Sequence, residues 1–292
     1  MSEDLDLIQK ARQVLARSRS ITVITGAGIS AESGIPTYRN EDGLWNQYRA
    51  EDFSSVEAFE KNPKMVWDWY RDRRKVMAGA FPNAGHKALA SMEQHCMQFM
   101  LLTQNIDELH QRAGTENIVE LHGSVWRLRC TNCLGEWYDS DENVGVNDSG
   151  SVPHCISCHS IARPAVVWFG ESLKETEWDR AIKASYCDTL LVVGTSAMVN
   201  PVASLPIIAQ KNRARIIVVN PEKTATADHA DIFIPGKAGE VLPQLVAQGN
   251  EDGIDGLYEM DMGKAMQRGL EKFYAKYPQL RKFVDGSGGK VE

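Results

Sequence analysis

The stretch Gly26-Ala-Gly28-Ile-Ser30-Ala-Glu32-Ser33-Gly34-Ile-Pro36-Thr-Tyr38-Arg39 follows a short apolar run, Ile21-Thr-Val-Ile24. That run is β-branched and has the length of a buried parallel strand. A strand that enters a glycine-rich turn can bring backbone N–H groups close to an anion, and phosphate is the usual ligand. The dinucleotide fingerprint requires a third glycine three residues after Gly28, where this chain has Ala31. The glycines alone therefore fit a cofactor loop or a tight strand-to-helix turn equally well.

Composition and charge limit the classes of function. The chain has 292 residues, 43% of them hydrophobic, which is enough for one large or two smaller domains. Its net charge of −7 opposes a non-specific nucleic-acid binder, which needs an excess of Lys and Arg. The first residues are acidic, and no run approaches the ~20 apolar residues that span a bilayer. We therefore expect a cytoplasmic protein with no nucleic-acid or membrane partner. Its oligomeric state stays open, a monomer included.

The polar residues of the glycine-rich stretch make the motif more specific. The whole stretch resembles the cofactor loop of the sirtuins, the NAD-dependent protein lysine deacylases. Family members commonly carry phenylalanine directly after the threonine, where this chain has Tyr38. The resemblance implies that NAD is a co-substrate and that it is bound by Gly26, Ala27, Gly28, Ser30, Ala31, Glu32, Pro36, Thr37, Tyr38, Arg39 and Trp45.

A second motif, Thr103-Gln-Asn-Ile-Asp107, follows a predicted strand over residues 97–102. Polar groups here lie at the edge where parallel sheets bind ligands, although they can equally cap the following helix. The motif resembles the sirtuin segment around the nicotinamide pocket. By that resemblance, Gln104, Asn105, Ile106 and Asp107 contact the cofactor, and Asn105 has a catalytic role.

His122 is the histidine that we assign to catalysis, in the context Leu121-His122-Gly123. A neutral imidazole with a pKa near ~6.5 can accept a proton at working pH. From the residues alone a structural or surface role is the better interpretation. The match to the sirtuin general base favours catalysis, and His86, His95, His110 and His229 match nothing comparable.

Tyr70 and Arg73 are spaced i, i+3 on a predicted helix and share one of its faces. The ordinary interpretation is a solvated face of a charged helix. The Y-x-x-R pair nevertheless resembles the acyl pocket of the class III-like sirtuin subgroup that removes succinyl and malonyl groups. A guanidinium matches a terminal carboxylate in geometry and charge, whereas an acetyl group offers it no partner.

Further matches to the family lie in the second half of the chain. The run Arg163–Glu171 is strand-like, and the sirtuin pattern implies that Val167, Trp168, Phe169, Gly170 and Glu171 bind the substrate peptide as an added strand. The same pattern places the adenosine half of NAD against two strand ends and a later residue, namely Gly194, Thr195, Ser196, Asn220, Pro221, Glu222 and Ala238.

Four of the six cysteines form two C-x-x-C knuckles, Cys130/Cys133 and Cys155/Cys158. This spacing is typical of a zinc site, and four thiolates complete a tetrahedral shell, so we predict one structural Zn²⁺. His154 and His159 are the alternative ligands. Cys96 and Cys187 sit among apolar residues and are predicted to be buried and inert.

Alternation of strands and helices predicts an α/β fold with a doubly wound, parallel, Rossmann-like sheet. We expect an NAD-binding domain from residues 1–36, 79–126 and 162–248. Residues 37–78 and 127–161 form a smaller domain, made of a helical insertion and the zinc module. Residues 249–292 are an extension that the resemblance does not reach, with one amphipathic helix from Lys264 to Tyr277.

The resemblance implies a deacylase that consumes NAD and yields free lysine, nicotinamide and O-acyl-ADP-ribose. An ADP-ribosyltransferase or NAD hydrolase would use the same loop and His122. A silent NAD-binding regulator would keep the glycines without needing the histidine. A zinc-ribbon nucleic-acid module would explain only the cysteines, and the negative charge opposes it.

Overall fold

The computed structural model describes residues 2–38, 49–139, 151–196, 198–246 and 262–283. Its helices are α1 (Ser2–Arg17), α2 (Gly28–Ala31), α3 (Ala50–Phe53), α4 (Val56–Lys61), α5 (Pro63–Gly79), α6 (Ala84–His95), α7 (Leu109–Ala113), α8 (Glu175–Ala184), α9 (Leu205–Lys211), α10 (Ala238–Val246) and α11 (Met262–Lys276). Its strands are β1 (Ser20–Thr25), β2 (Gln98–Thr103), β3 (Ile118–Glu120), β4 (Gly123–Cys130), β5 (Glu136–Tyr138), β6 (Ala162–Val166), β7 (Thr189–Val193), β8 (Arg215–Asn220) and β9 (Ile232–Pro235). Arg39 and Trp45, two predicted cofactor residues, lie outside the described part.

The larger sheet confirms the predicted fold class. Its six strands run in the order β3-β2-β1-β7-β8-β9, and every pairing is parallel. The chain adds β2 and β3 on one side of β1, and β7 to β9 on the other. Strand order therefore reverses between β1 and β7, the position at which such sheets bind ligands beyond the carboxyl ends of their strands.

Helices cover both faces of this sheet, as its fully buried strands require. Val23 faces a core that includes buried residues of α1, α6 and α10. The next residue, Ile24, points to the opposite face and packs in a core with α8 and α9. Side chains on both faces of β1 are therefore buried, which explains why the sequence of this strand is a continuous apolar run.

The helical insertion breaks where the sequence predicts it. Asn62 lies between α4 and α5, and its side chain accepts a hydrogen bond from the Met65 N–H at 3.1 Å. Pro63 occupies the first position of α5, where its missing N–H costs no hydrogen bond. The cap fixes the start of the helix that carries Tyr70 and Arg73.

A second sheet of three antiparallel strands, β5-β4-β6, was not predicted. It packs against α5: the Trp67 indole N–H donates to the carbonyl of Ala162 at 2.8 Å. The buried Arg74 guanidinium donates to the Val125 carbonyl at 2.8 Å and pairs with Asp139 at 2.6 Å. These contacts fasten the helical insertion to the strands that carry the cysteines.

Three further expectations can be compared with the structure. The run Arg163–Glu171, expected to be a strand that ends in a polar turn, begins in β6, which stops at Val166 before the chain turns. Cys187 is buried as predicted, but Cys96 is only half-buried, because it caps the exposed end of α6. The helix predicted over Lys264–Tyr277 is present as α11. Among the described residues, none of the helices has the length and apolar character needed to traverse a bilayer.

Candidate active site

A cavity of about 660 Å³ opens where β1, β2, β7 and β8 end. The predicted site residues in its wall are Gly26, Ala27, Gly28, Ala31, Glu32, Thr37, Tyr38, Tyr70, Gln104, Asn105, Ile106, His122, Val167, Trp168, Phe169, Gly170, Glu171, Gly194, Thr195, Ser196, Asn220, Pro221 and Glu222. Segments far apart in the sequence thus surround one space, as the strand ends of a switch point allow.

Of the predicted cofactor and substrate residues that the structure describes, five do not line the cavity. Ser30 and Asp107 are buried behind its wall, and Pro36 is exposed to solvent. Ala238 is buried against α6, where its backbone lies so close to Gly85 that an added Cβ there would meet it at 3.1 Å. The neighbouring residue Lys237 lines the cavity instead, and a contact between Ala238 and the cofactor stays a prediction. The fifth, Arg73, is described below.

The glycine loop is held against the turn after β7 by direct backbone contact. The Gly28 N–H donates to the Gly194 carbonyl at 2.8 Å. A Cβ added at Gly28 would lie 2.7 Å from the Gly194 Cα, and one added at Gly194 would lie 2.5 Å from the Ile29 nitrogen. Gly194 also has φ +58°, which favours glycine. The two turns form a floor without side chains, which suits the close approach of a diphosphate.

Asn105 connects the two cofactor motifs. Its side-chain N–H₂ donates to the Gly26 carbonyl at 3.1 Å and to Ser30 Oγ at 3.2 Å. Ser30 in turn donates to Asp107 at 2.8 Å, and the Leu109 N–H donates to the same carboxylate at 2.9 Å. Burial raises the pKa of Asp107, and these hydrogen bonds oppose the rise. Ser30 and Asp107 therefore orient Asn105 from behind the cavity wall.

His122 lies in the turn between β3 and β4, with its Nδ1 3.0 Å from the Gln104 carbonyl oxygen. A carbonyl only accepts, so the neutral ring carries its hydrogen on Nδ1 and its lone pair on Nε2. The next residue, Gly123, has φ +76°, and a Cβ there would lie 2.0 Å from the Ala165 carbonyl oxygen. Only glycine lets the chain turn from the histidine into β4 at this place.

Tyr70 forms part of the wall formed by the helical insertion. Its hydroxyl accepts a hydrogen bond from the Trp168 indole N–H at 2.8 Å and lies 3.3 Å from Ser54 Oγ. Burial is the main reason that the pKa of Tyr70 rises to about 12, so the phenol stays protonated at neutral pH. Its O–H is a donor beside the cavity.

Arg73 lies one turn further along α5, behind Trp69 and Tyr38. Its Cζ is 5.7 Å from the centroid of the Trp69 ring, and Trp69 lines the cavity. Burial raises the pKa of Tyr38, and the charge of Arg73 opposes that rise. Within the described ranges, the buried Nε of Arg73 has no hydrogen-bond partner.

The segment 167–171 crosses the mouth of the cavity as irregular chain. The Val167 N–H donates to the His122 carbonyl at 3.0 Å, and the Phe169 N–H donates to the Ser54 carbonyl at 2.8 Å. Glu171 accepts from the Trp168 N–H at 2.8 Å and from Arg163 at 2.7 Å, while Gly170 has φ +84°. These contacts fasten the segment both to the histidine turn and to the helical insertion.

The four knuckle cysteines form one cluster, as predicted. Their sulfur atoms all lie within 4.8 Å of one another, with Cys130 and Cys158 3.4 Å apart and Cys133 and Cys155 3.6 Å apart. Hydrogen bonds from Ser160 lower the pKa of the Cys158 thiol, which favours the thiolate that zinc binds. Four sulfur donors at this spacing fit one structural Zn²⁺ and leave no position for a water molecule.

The wall also contains residues that sequence reasoning missed: Ser54, Trp69, Val166, Leu173, Val199, Asn200, Pro201, Thr224 and Lys237. Thr224 follows the predicted residues Asn220, Pro221 and Glu222 closely in the sequence, and that closeness could have identified it as a site residue. Its buried Oγ1 has no hydrogen-bond partner among the described residues. The glycine floor leaves room for the phosphates of an NAD molecule, and this hydroxyl can pair with a hydroxyl of its ribose.

Comparisons with known proteins agree with this geometry. Residues 26–201 match the Sir2 family. A protein of Pyrococcus furiosus named NAD-dependent protein deacylase is 44% identical over 244 residues, which is 83% of this chain and 98% of that protein.

Two solved structures are similar as well. A Sir2 homologue mutant in complex with ADP-ribose superposes with a TM-score of 0.78 at 42% identity, over 81% of this chain and 94% of that chain. A Sir2 protein bound to a myristoylated histone peptide gives a TM-score of 0.68 at 39% identity, over 82% of this chain and 94% of that chain.

Proposed function

The chain belongs to the Sir2 family and is an NAD-dependent protein deacylase, and from that premise we propose that it removes succinyl and malonyl groups from lysine, as well as acetyl groups. NAD is consumed as a reagent: its ribose carbon takes the acyl oxygen as nicotinamide leaves. The products are free lysine, nicotinamide and an O-acyl-ADP-ribose.

In this proposal different parts of the cavity wall bind different parts of NAD and of the peptide substrate. The floor formed by Gly28 and Gly194 holds the diphosphate, and the turn at Asn220 holds the adenosine side. Asn105, fixed through Ser30 and Asp107, holds the nicotinamide end. The acyl-lysine peptide enters across Val167–Glu171, where it pairs as an added strand.

His122 is the general base in this proposal. Its Nδ1 hydrogen is directed to the Gln104 carbonyl, which leaves Nε2 to remove a proton from a ribose hydroxyl. An amide oxygen is a weak nucleophile and must be held close to the carbon that it attacks, with water excluded. Trp168 and Tyr70 supply buried, largely apolar walls on the acyl side of the cavity.

One observation carries the dicarboxylic preference: the buried Nε of Arg73 has no partner among the described residues and lies beside the pocket residues Trp69 and Tyr38. A buried guanidinium N–H that lacks a partner is costly, and a carboxylate would compensate that cost. Tyr70 adds a protonated hydroxyl on the same helix face. Succinyl and malonyl groups end in the required carboxylate, and an acetyl group does not.

The test compares turnover of acetyl-, succinyl- and malonyl-lysine peptides, with and without NAD, by mass spectrometry. For Arg73→Met we expect kcat/KM on succinyl peptide to fall by ~10- to 100-fold, because a charge-assisted hydrogen bond is worth ~1.5–3 kcal/mol. Turnover of acetyl peptide should stay within threefold. The matched control is Arg71→Met, which removes an arginine of the same helix that pairs with Asp68.

Equal loss on acetyl and succinyl peptides would contradict the carboxylate preference, and so would indifference of both. The main rival is an ADP-ribosyltransferase or NAD hydrolase. In that case nicotinamide would be released without any deacylated peptide, and the same spectra would reveal it.

The remaining parts of the proposal concern location and domain division. A four-thiol cluster requires a reducing compartment to stay free of disulfides, which supports a cytoplasmic location.

The two separate sheets support an NAD-binding domain around the larger sheet and a small domain around the zinc cluster.

A further inference from the structure

The C-terminal helix α11 lies outside residues 26–201, the part of the chain that matches the family. It nevertheless packs in a core of the enzyme. Phe273, Tyr277 and Leu280 are at most 3% exposed and share a hydrophobic cluster with Trp126. The Trp126 and Tyr277 ring centroids are 6.0 Å apart. A segment so deeply buried is an integral part of the structure.

Gly269 brings α11 into direct contact with the backbone of α7. A Cβ added at Gly269 would lie 2.6 Å from the Gln111 carbonyl oxygen and 2.7 Å from that of Arg112. Real Cβ atoms are not found at such distances from backbone atoms, so only glycine allows this approach. The contact sets the position of α11 relative to α7, which directly follows the Asn105–Asp107 motif.

The same region contains a buried carboxylate whose two donors come from different parts of the chain. Glu108 Oε1 accepts from Ser124 Oγ at 2.5 Å and from the Tyr277 hydroxyl at 2.9 Å. Glu108 is 5% exposed, and its Oε2 has no partner in the part of the chain that the structure describes. A buried carboxylate with so few donors depends strongly on each of them.

Glu108 stands between the two catalytic segments. It follows Asp107 directly and has φ +58°, a left-handed conformation that is unfavourable for glutamate. Ser124, its other donor, is two residues after His122. Two more hydrogen bonds join the same segments, from the Val125 N–H to the Ile106 carbonyl and from the Trp126 indole to the Asp107 carbonyl, both at 3.1 Å.

From this arrangement we infer that Tyr277 is a positioning residue of the deacylase: its hydroxyl holds Glu108, and Glu108 keeps the Asn105 and His122 segments in register. The inference rests on the proposed deacylase activity but is independent of the acyl preference. It assigns the C-terminal helix a part in catalysis at a distance. Tyr277 touches neither substrate nor cofactor in this scheme.

Core packing alone is the competing explanation, and removal of one oxygen atom separates the two. Tyr277→Phe retains the ring and therefore its contacts with Trp126, Phe273 and Tyr138. Tyr186→Phe is the matched control, because Tyr186 is 62% exposed. The partner variants Ser124→Ala and Glu108→Ala test the other members of the network.

The experiment measures kcat and KM for NAD and for both acetyl and succinyl peptides, together with the thermal midpoint. For Tyr277→Phe we expect kcat on both peptides to fall by about tenfold, with the succinyl-to-acetyl ratio unchanged and the peptide KM within twofold. In the Glu108→Ala background, which removes the acceptor, the same substitution should have no further effect on kcat, because the two residues act through one hydrogen bond. Tyr186→Phe should behave as wild type.

A kcat of Tyr277→Phe within twofold of wild type would overturn the inference. So would a loss that multiplies with that of Glu108→Ala, because independent effects would then be at work. Gly269→Ala gives a second measurement. It changes no side chain of the network but pushes α11, and with it Tyr277, away from α7, so its kcat should fall as for Tyr277→Phe. Failure of the acyl proposal would instead alter the succinyl-to-acetyl ratio of wild type, so the two failures are distinguishable.

Discussion

The His122 Nδ1 atom lies 3.0 Å from the carbonyl oxygen of Gln104, the residue that follows β2. This contact fixes the ring orientation and the tautomer, and it links the histidine to the motif that contains Asn105. In His122→Ala we expect deacylation to fall by ~10²- to 10⁴-fold, the usual contribution of a positioned base. Exchange of labelled nicotinamide into NAD, which precedes the proton removal, should be affected much less.

Mass spectrometry of the peptide and label counting in NAD measure the two steps separately. His229→Ala, a change at an exposed histidine, serves as the control. If His122→Ala deacylated peptide at the wild-type rate, the chain would bind NAD without needing this residue for chemistry. A regulator role would then replace the assignment of a base.

The floor of the cavity gives a second prediction. In Gly28→Ala the new methyl group would lie 2.7 Å from Gly194 Cα and carbonyl oxygen, both backbone atoms that cannot rotate away. We expect a loss of ~1–3 kcal/mol in unfolding free energy and a clear rise in the KM for NAD. The control is Gly79→Ala at the end of α5, where a methyl group meets nothing within 4 Å and should be neutral or stabilising. Urea unfolding and steady-state kinetics measure both effects, and a Gly28→Ala enzyme with unchanged KM would contradict the proposed floor.

Local signals in the sequence predicted much of this architecture, because they depend on neighbouring residues. The apolar run before Gly26 identified β1, Asn62-Pro63 marked the helix break, and the cysteine spacing identified the metal cluster. Contacts between distant residues could not be predicted in this way. Nothing near Gly269 in the sequence indicates that it must contact α7, because that requirement arises only when two helices meet.

The candidate active site shows the same difference between features set by local sequence and features set by contacts between distant residues. The residues at strand ends could be placed in the cavity from the sequence, since parallel strands bring their carboxyl ends to one edge. In the helical insertion Tyr70 was placed in the cavity from the sequence, but Ser54 and Trp69 were missed. Trp69 lines the cavity whereas Arg73, one turn away, lies behind it, and this difference depends on how α5 is rotated against the small sheet. The strand β4 was missed although Trp126-Arg-Leu-Arg-Cys130 alternates apolar and charged residues, with the apolar ones buried.

Two buried histidines predict a loss of stability in acid. Burial lowers the pKa of His110 to about 3 and lowers that of His86 well below its usual value of 6.5. Between about pH 6.5 and pH 3 the unfolded chain therefore binds protons that the folded chain does not. Stability is fully present above pH 6.5 and falls as the pH drops, by up to ~1.4 kcal/mol per pH unit for each histidine.

His110→Gln should reduce that slope, since glutamine does not titrate and can still bond Thr25, which lies 3.0 Å from His110 Nε2. Urea unfolding at pH 7.5, 6 and 5 provides the measurement, and the slope is compared rather than the absolute stability. The exposed residue change His229→Gln is the control. If the unfolding free energy of His110→Gln changed with pH as steeply as that of wild type, His110 would take up its proton in the folded chain as readily as in the unfolded chain. The lowered pKa would then be wrong.

The cysteine cluster gives the last prediction, because it lies at the far end of the strand that begins beside His122. β4 starts at Gly123, next to His122, and ends at Cys130. We expect one zinc per chain by elemental analysis, and we expect Cys158→Ser or a strong chelator to remove it together with the activity. A structural zinc contributes directly to folding, so the thermal midpoint should fall as well. Cys96→Ser, outside the cluster, should keep both metal and activity, and His159→Ala should do the same because four sulfur atoms already complete the shell. A metal-free enzyme with an unchanged thermal midpoint and full turnover would show that the small sheet does not need the ion to support the histidine turn.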